Sequence, residues 1–254
     1  MSGEADPGGS YRRLLVYADE GGSIGAQYAA FGSLWMPWER RGDFIKLVRD
    51  QMTAHGVAGE LGALRHKGEA GAFFLGLIDE LFRRRWIAFR CVLTPSNIDP
   101  ELKEKVFAAL ISERVKALPR AQNQRELRVR LTKNARTKVG GLKLEDAFYR
   151  RIRADLEDGP LPELTVRAAR STEGIELVDL LLGLVLSDWE KKSIPKDRRG
   201  MHERVAENLG WADLAADTAP SEWKFNIWYL ERPETLRREQ KTQRAVQLRL
   251  PMID

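Results

Sequence analysis

A chain of 254 residues with 43% hydrophobic and 31% charged residues can bury a large core and is too apolar to be intrinsically disordered. Its 42 Lys and Arg exceed its 37 Asp and Glu, a net charge of +5, which points to acidic rather than basic partners. A single cysteine excludes an intrachain disulfide and a cysteine-based zinc cluster, no apolar run can span a bilayer, and the opening MSGEADPGGSYRR lacks a secretory apolar core, so the reading is cytoplasmic with no membrane association.

Residues 1–12 read as a flexible lead. LLVYAD (14–19) is a short apolar run that predicts a buried strand, and YAAFGSLWM (28–36) predicts its hairpin partner across a Gly-rich turn. From Pro37 the spacing of Phe44, Leu47 and Val48 predicts a helix to about 52, followed by a Gly-rich loop, GVAGELGALRHKGE. Phe73, Phe74, Leu77, Ile78 and Leu81 share one face of a helix over 70–85. WIAFRCVL (86–93) is the next strand, and Pro100 opens a helix to 118.

ELRVRLTK (126–133) alternates as a strand, 143–156 is helical, ELTVRAARS (163–171) is a strand and 174–192 a strongly apolar helix. The pattern blurs after Pro195, the stretch 193–222 is the one hint of a boundary, and KFNIWYLER (224–232) is a last alternating strand. Alternating strands and helices predict an α/β fold with helices packed on a sheet. The main domain is expected over 13–232, with a basic tail at 233–254.

The acids carry the chemistry. Asp19 and Glu20 stand where the first strand meets two glycines. Asp beside glycine is ordinary turn chemistry, yet a carboxylate at the end of a buried strand also points into the crevice where α/β proteins hold ligands. Glu60 lies between glycines that allow close backbone approach, although a surface loop is the plain reading. In the helix GIELVDLLLGLVLSDWEKK, Glu176 and Asp179 are three apart and share a face with Gly183, Ser187 and Glu190. That face is either a solvated stripe or a set of carboxylates held near the core, which then need a partner or a cation. Gly183 would let this helix approach its neighbour closely.

Carboxylates from a strand end, a loop and a helix suit hard cations, Mg²⁺ or Mn²⁺, of the kind phosphoryl-transfer sites employ. His55, His66 and His202 have no zinc-ligand spacing, and neither a P-loop nor G-x-G-x-x-G is present. Segment 120–138 holds seven Lys or Arg against one acid. It is either solvated surface or a face for the phosphates of DNA or RNA, with Arg128, Arg130, Lys133, Arg136 and Lys138 as contacts, joined by Arg65 and Lys67 from the loop.

Several short stretches resemble the domain-of-unknown-function 3800 family. VYADEGG is similar to its Y-x-D-E-S-G opening, STEGIELVDLLLG (171–183) to its S-x-x-x-G-I-Q-L-A-D-L-x-A-G motif, GELG to the region of its intermediate glutamate, and FNIWYL to its last strand. The resemblance implies a ribonuclease H-like mixed sheet flanked by helices and metal-dependent cleavage of nucleic acid, in mobile-element or phage-defence settings. It assigns metal ligands to Asp19, Glu20, Glu60 and Asp179 and a supporting place to Ser171. Gly22 stands where the family has Ser, Glu176 where it has Gln (a further candidate ligand), and strand LRVRLTKN offers Asn134 where members often carry an acid.

The expectation is therefore a Mg²⁺- or Mn²⁺-dependent nuclease with Asp19, Glu60 and Asp179 catalytic. Two rivals remain: a catalytically impaired nucleic-acid-binding or phage-defence subunit of the same fold, and a metal-dependent nucleotide phosphohydrolase. A protein partner or homo-oligomer is left open.

Overall fold

A computed structural model of the chain describes residues 13–22, 25–61, 70–97, 99–117, 126–132, 138–139, 142–156, 163–169, 172–190, 196–219 and 222–230. The strands are β1 (Arg13–Gly21), β2 (Tyr28–Pro37), β3 (Ala88–Pro95), β4 (Glu126–Thr132), β5 (Lys138–Val139), β6 (Leu142–Lys143), β7 (Glu163–Ala169) and β8 (Phe225–Tyr229). The helices are α1 (Arg41–Ala54), α2 (Gly71–Arg83), α3 (Pro100–Lys116), α4 (Leu144–Asp155), α5 (Glu173–Trp189) and α6 (Lys196–Leu209). Six strands form one mixed sheet in the order β7-β4-β1-β2-β3-β8, and β5 and β6 form a separate hairpin. Only β2 runs against its neighbours; β1–β4, β4–β7 and β3–β8 are parallel pairs.

Both faces of β1 and β2 are covered, and this is why β1 reads as continuous rather than alternating apolar sequence. Leu15, Tyr17, Leu34 and Phe89 enter one core together with α1, α2, α5 and α6. Leu14, Val16, Val129 and Leu131 enter a second core with α3 and α4. α3 starts where Asp99 accepts hydrogen bonds from the Glu101 and Leu102 amides at 2.9 and 3.1 Å, with Pro100 supplying a fixed φ and no donor.

The structure corrects several expected boundaries. Pro37 ends β2 rather than opening a helix; a 3-10 turn, Trp38–Arg40, intervenes before α1. The third strand is displaced to 88–95. α6 lies inside the stretch expected to mark a boundary, and its Met201, Val205 and Ala206, followed by Leu214, join the core that contains α5. That segment belongs to the same packed body. The lead (1–12) and the basic tail (233–254) lie outside the described residues.

Polar groups tie the periphery to the core. Lys224 Nζ donates to the carbonyls of Leu81, Arg84 and Ile87, the last two at 2.6 Å, and so caps the C-terminal end of α2. Asp188 Oδ2 meets His202 Nε2 at 2.5 Å and accepts the Leu214 amide at 2.6 Å, joining α5, α6 and the following loop. Cys91 is fully buried at the middle of β3, and burial pushes its thiol pKa well above the ordinary value. Among the described residues no helix is long and apolar enough to cross a membrane.

Candidate functional site

Asp19 lies near the end of β1, the third strand of six, and is 9% exposed. Its Oδ1 accepts the Glu20 amide at 2.8 Å. Alternation along β1 sets its side chain on the α5 side of the sheet, with Leu15 and Tyr17. Asp19 pairs with Gly32 of β2.

The seating of α5 depends on glycines. A Cβ on Gly32 would come within 2.8 Å of Leu182 and 3.0 Å of Val178, and one on Gly21 would meet Leu186 at 3.0 Å. A Cβ on Gly174 would lie 2.3 Å from the Tyr17 ring. The helix therefore follows β1 from Tyr17 to Gly21, and its Val178–Leu182 turn passes over the Asp19–Gly32 pair. Asp179 belongs to that turn and is half-buried. Gly183, expected to make the close approach, does not: a Cβ there would meet only Arg198 Nη1, at 3.9 Å. Glu176, one turn earlier on the Asp179 face, is buried at 7% exposure. The acidic stripe is thus not an open solvated surface, and α6 brings the Arg198 guanidinium alongside it.

The other expected ligands are placed differently. Glu20 follows Asp19 on a regular strand and so points to the opposite side of the sheet, with Leu14, Val16 and Ala18; its pairing partner Phe31 lies in the second core. Glu60 is exposed on the loop after α1, anchored by buried Leu61. Among the described residues no group of three or more His, Cys, Asp or Glu side chains is arranged to hold a metal ion. The oxygen donors of Asp19 and Asp179 suit Mg²⁺ or Mn²⁺, cations commonly held by one or two carboxylates with water and substrate phosphate completing the shell.

Among the expected nucleic-acid contacts, Arg128 and Arg130 lie on β4. Its Leu127, Val129 and Leu131 enter the second core, so the two arginines face the α5 side. The Arg128 guanidinium lies 4.0 Å from the centre of the Trp38 ring and pairs with Glu126. Arg41, at the start of α1, lies over the same ring at 4.1 Å. Burial pushes the Tyr17 phenol pKa up, and the nearby charges of Arg130, Glu173 and Arg41 act on it as well. Lys138 is in β5, paired with Lys143 of β6. Arg65, Lys67, Lys133, Arg136 and Ser171 lie outside the described residues.

Sequence reading did not single out Trp38 or Arg167. Trp38 followed by Arg40 and Arg41 was a usable signal, since aromatic and guanidinium groups pair readily. Residues 21–25, GGSIG, also match the G-x-S-x-G pattern of a hydrolase nucleophile elbow. That elbow requires a strand-to-helix turn, whereas here the segment joins antiparallel β1 and β2. A cavity of about 430 Å³ lined by Asp79, Phe82, Arg83, Asn208 and Lys224 includes none of the expected site residues.

No protein-family profile matches the chain and no curated protein is similar to it, so its likeness to the domain-of-unknown-function 3800 family rests on the short motifs alone.

Proposed function

We propose that the chain is a Mg²⁺- or Mn²⁺-dependent nuclease of ribonuclease H-like fold. The observation that carries this is the buried Asp19 near the end of a central strand, with the α5 turn that bears Asp179 seated over its Asp19–Gly32 pair. A mixed sheet with helices on both faces, an acid on the first strand and another on a late helix are what the motif resemblance implies. Asp19 and Asp179 would hold the cation, with Glu176 adding negative charge one turn away. When bound, it would supply an acidified water and offset charge at the phosphoryl group. The Arg130 guanidinium on β4 holds the substrate backbone on the same face of the sheet as Asp19.

A second reading, a nucleic-acid-binding subunit without hydrolysis, is favoured by Glu20 facing the opposite layer and by Thr132, not an acid, at the end of β4. Cleavage of labelled single- and double-stranded DNA and RNA with Mn²⁺ decides between them. Asp179→Asn should lower turnover about a hundredfold or more while leaving binding intact, because it removes a charge that offsets the cation. Undiminished cleavage in this variant refutes the assignment. Binding without cleavage by the wild type, on every substrate, establishes the second reading. Mg²⁺ or Mn²⁺ should also raise the melting temperature of the wild type but not of the Asp19→Asn, Asp179→Asn double variant.

A further inference from the structure

The α5-side face of β4 and β7 carries a pattern that a purely structural sheet face does not call for. On β7, Leu164 and Val166 pack with the second core, so Thr165 and Arg167 point to the α5 side, with Arg167 exposed. Arg130 and Arg167 are direct partners in the parallel β4–β7 pairing, and Tyr17 is the partner of Arg130 on β1. Like charges directly opposite each other on neighbouring strands destabilise a sheet. No ion pair joins either guanidinium to a carboxylate among the described residues. At the other end of the same strands Glu126 faces Glu163, so the face is acidic far from Asp19 and basic towards it.

Beside this floor stand Trp38, Arg41 and Arg128. The indole holds two guanidiniums at 4.0 and 4.1 Å, which fixes groups that otherwise lose much rotamer entropy on binding.

We infer that this face is a track for a single strand of nucleic acid, its phosphates held by Arg130 and Arg167 and its unpaired bases resting on the ordered guanidiniums of Arg41 and Arg128. The inference deepens the nuclease reading by naming its substrate as single-stranded. Charge complementarity selects a polyanion, and spacing selects one strand of it. Neighbouring β-strands are about 4.8 Å apart, so the two arginines are set for the phosphates of one backbone. Only unpaired bases expose faces that guanidinium planes can cover, whereas the bases of a duplex are already stacked on one another. The basic end of the track delivers the backbone to Asp19.

The test is binding in EDTA, where no cleavage occurs, so its outcome is independent of the metal chemistry. Fluorescence anisotropy with a labelled single-stranded oligonucleotide of about 12 nucleotides, within ordinary single-strand site sizes, is read over a series of salt concentrations. The Arg130→Gln, Arg167→Gln double variant should lose about 1.4 from the slope of log affinity against log salt, since each phosphate contact on a single strand contributes about 0.7. Arg167→Gln alone, at an exposed edge position, should lose about 0.7. Trp38→Leu leaves the charge count unchanged and should weaken binding severalfold without altering the slope. Retained thermal melting confirms that each variant is folded. An unchanged slope in the arginine variants, equal or tighter binding of the matching duplex, or no binding by the wild type overturns the track. Absence of Mn²⁺-dependent cleavage alongside the expected slopes retires the nuclease reading and leaves the track standing.

Discussion

Gly174→Ala tests whether α5 is seated on β1 as described. The new Cβ would lie 2.3, 2.5 and 2.6 Å from Cδ2, Cγ and Cε2 of Tyr17. That ring is 8% exposed and packs 6.3 Å from Phe44, so it has little room to withdraw. Overpacking of this kind costs about 1–3 kcal/mol. The propensity gain of Ala over Gly, up to about 1 kcal/mol inside a helix, offsets little at the second helical residue. Gly183→Ala is the control: the same substitution in the same helix, where the nearest atom is Arg198 Nη1 at 3.9 Å. It should stabilise by about 0.5–1 kcal/mol through propensity. In thermal melts each kcal/mol corresponds to about 2–4 °C for a chain of this size, so the two variants should move in opposite directions. The Gly174 variant should also lose part of the stabilisation by Mn²⁺, because the turn bearing Asp179 shifts with the helix. Shifts of the same sign for both glycines would refute the placement of α5 on Tyr17.

Lys224→Met should destabilise by about 1–3 kcal/mol in urea titrations, because the Leu81 and Arg84 carbonyls at the end of α2 and the Ile87 carbonyl before β3 lose their donor. Burial draws the Lys224 pKa down to about 7. An unchanged midpoint would show that water replaces the ammonium without loss. The hydrogen bond to Asp188 holds the His202 pKa above its ordinary 6.5, with burial opposing it and the charges of Asp188, Asp213 and Glu203 adding to it. A raised folded value means that the stabilisation is complete below 6.5 and is lost as pH rises through the folded value. The stability difference between wild type and His202→Gln should therefore shrink from pH 5.5 to pH 8.5, values chosen to bracket ordinary histidine titration. A difference that does not vary with pH would mean that folding leaves the imidazole pKa unshifted.

The sheet was legible where burial left a period. β4 alternates because one of its faces enters the core with α3 and α4 while the other carries Arg128 and Arg130. β1 and β2 read as apolar runs because both their faces are covered. α6 was not legible: KDRRGMHERVAENL offers Met201, Val205 and Ala206 to the core, too few apolar residues to stand out in a charged segment. The separation of Asp19 from Glu20 could have been read, since consecutive residues of a strand face opposite ways. The depth of Glu176 could not, because it depends on elements distant in sequence. The close approach falls at Gly21, Gly32 and Gly174 rather than Gly183, because spacing within α5 cannot reveal which glycines meet across the helix–sheet interface.

The solitary thiol buried midway along β3 doubles as a built-in reporter. Cys91 has no exposed surface, and no second cysteine competes with it. A thiol reagent can reach it only after the helical layer of the first core has opened over β3, and the raised pKa further suppresses reaction from the closed form. Labelling at low reagent concentration thus counts openings of the structural centre, while local fraying at the chain ends leaves it silent. The same experiment with an oligonucleotide or Mn²⁺ present would reveal, without any engineered probe, whether occupancy of the Asp19 end restrains the whole sheet.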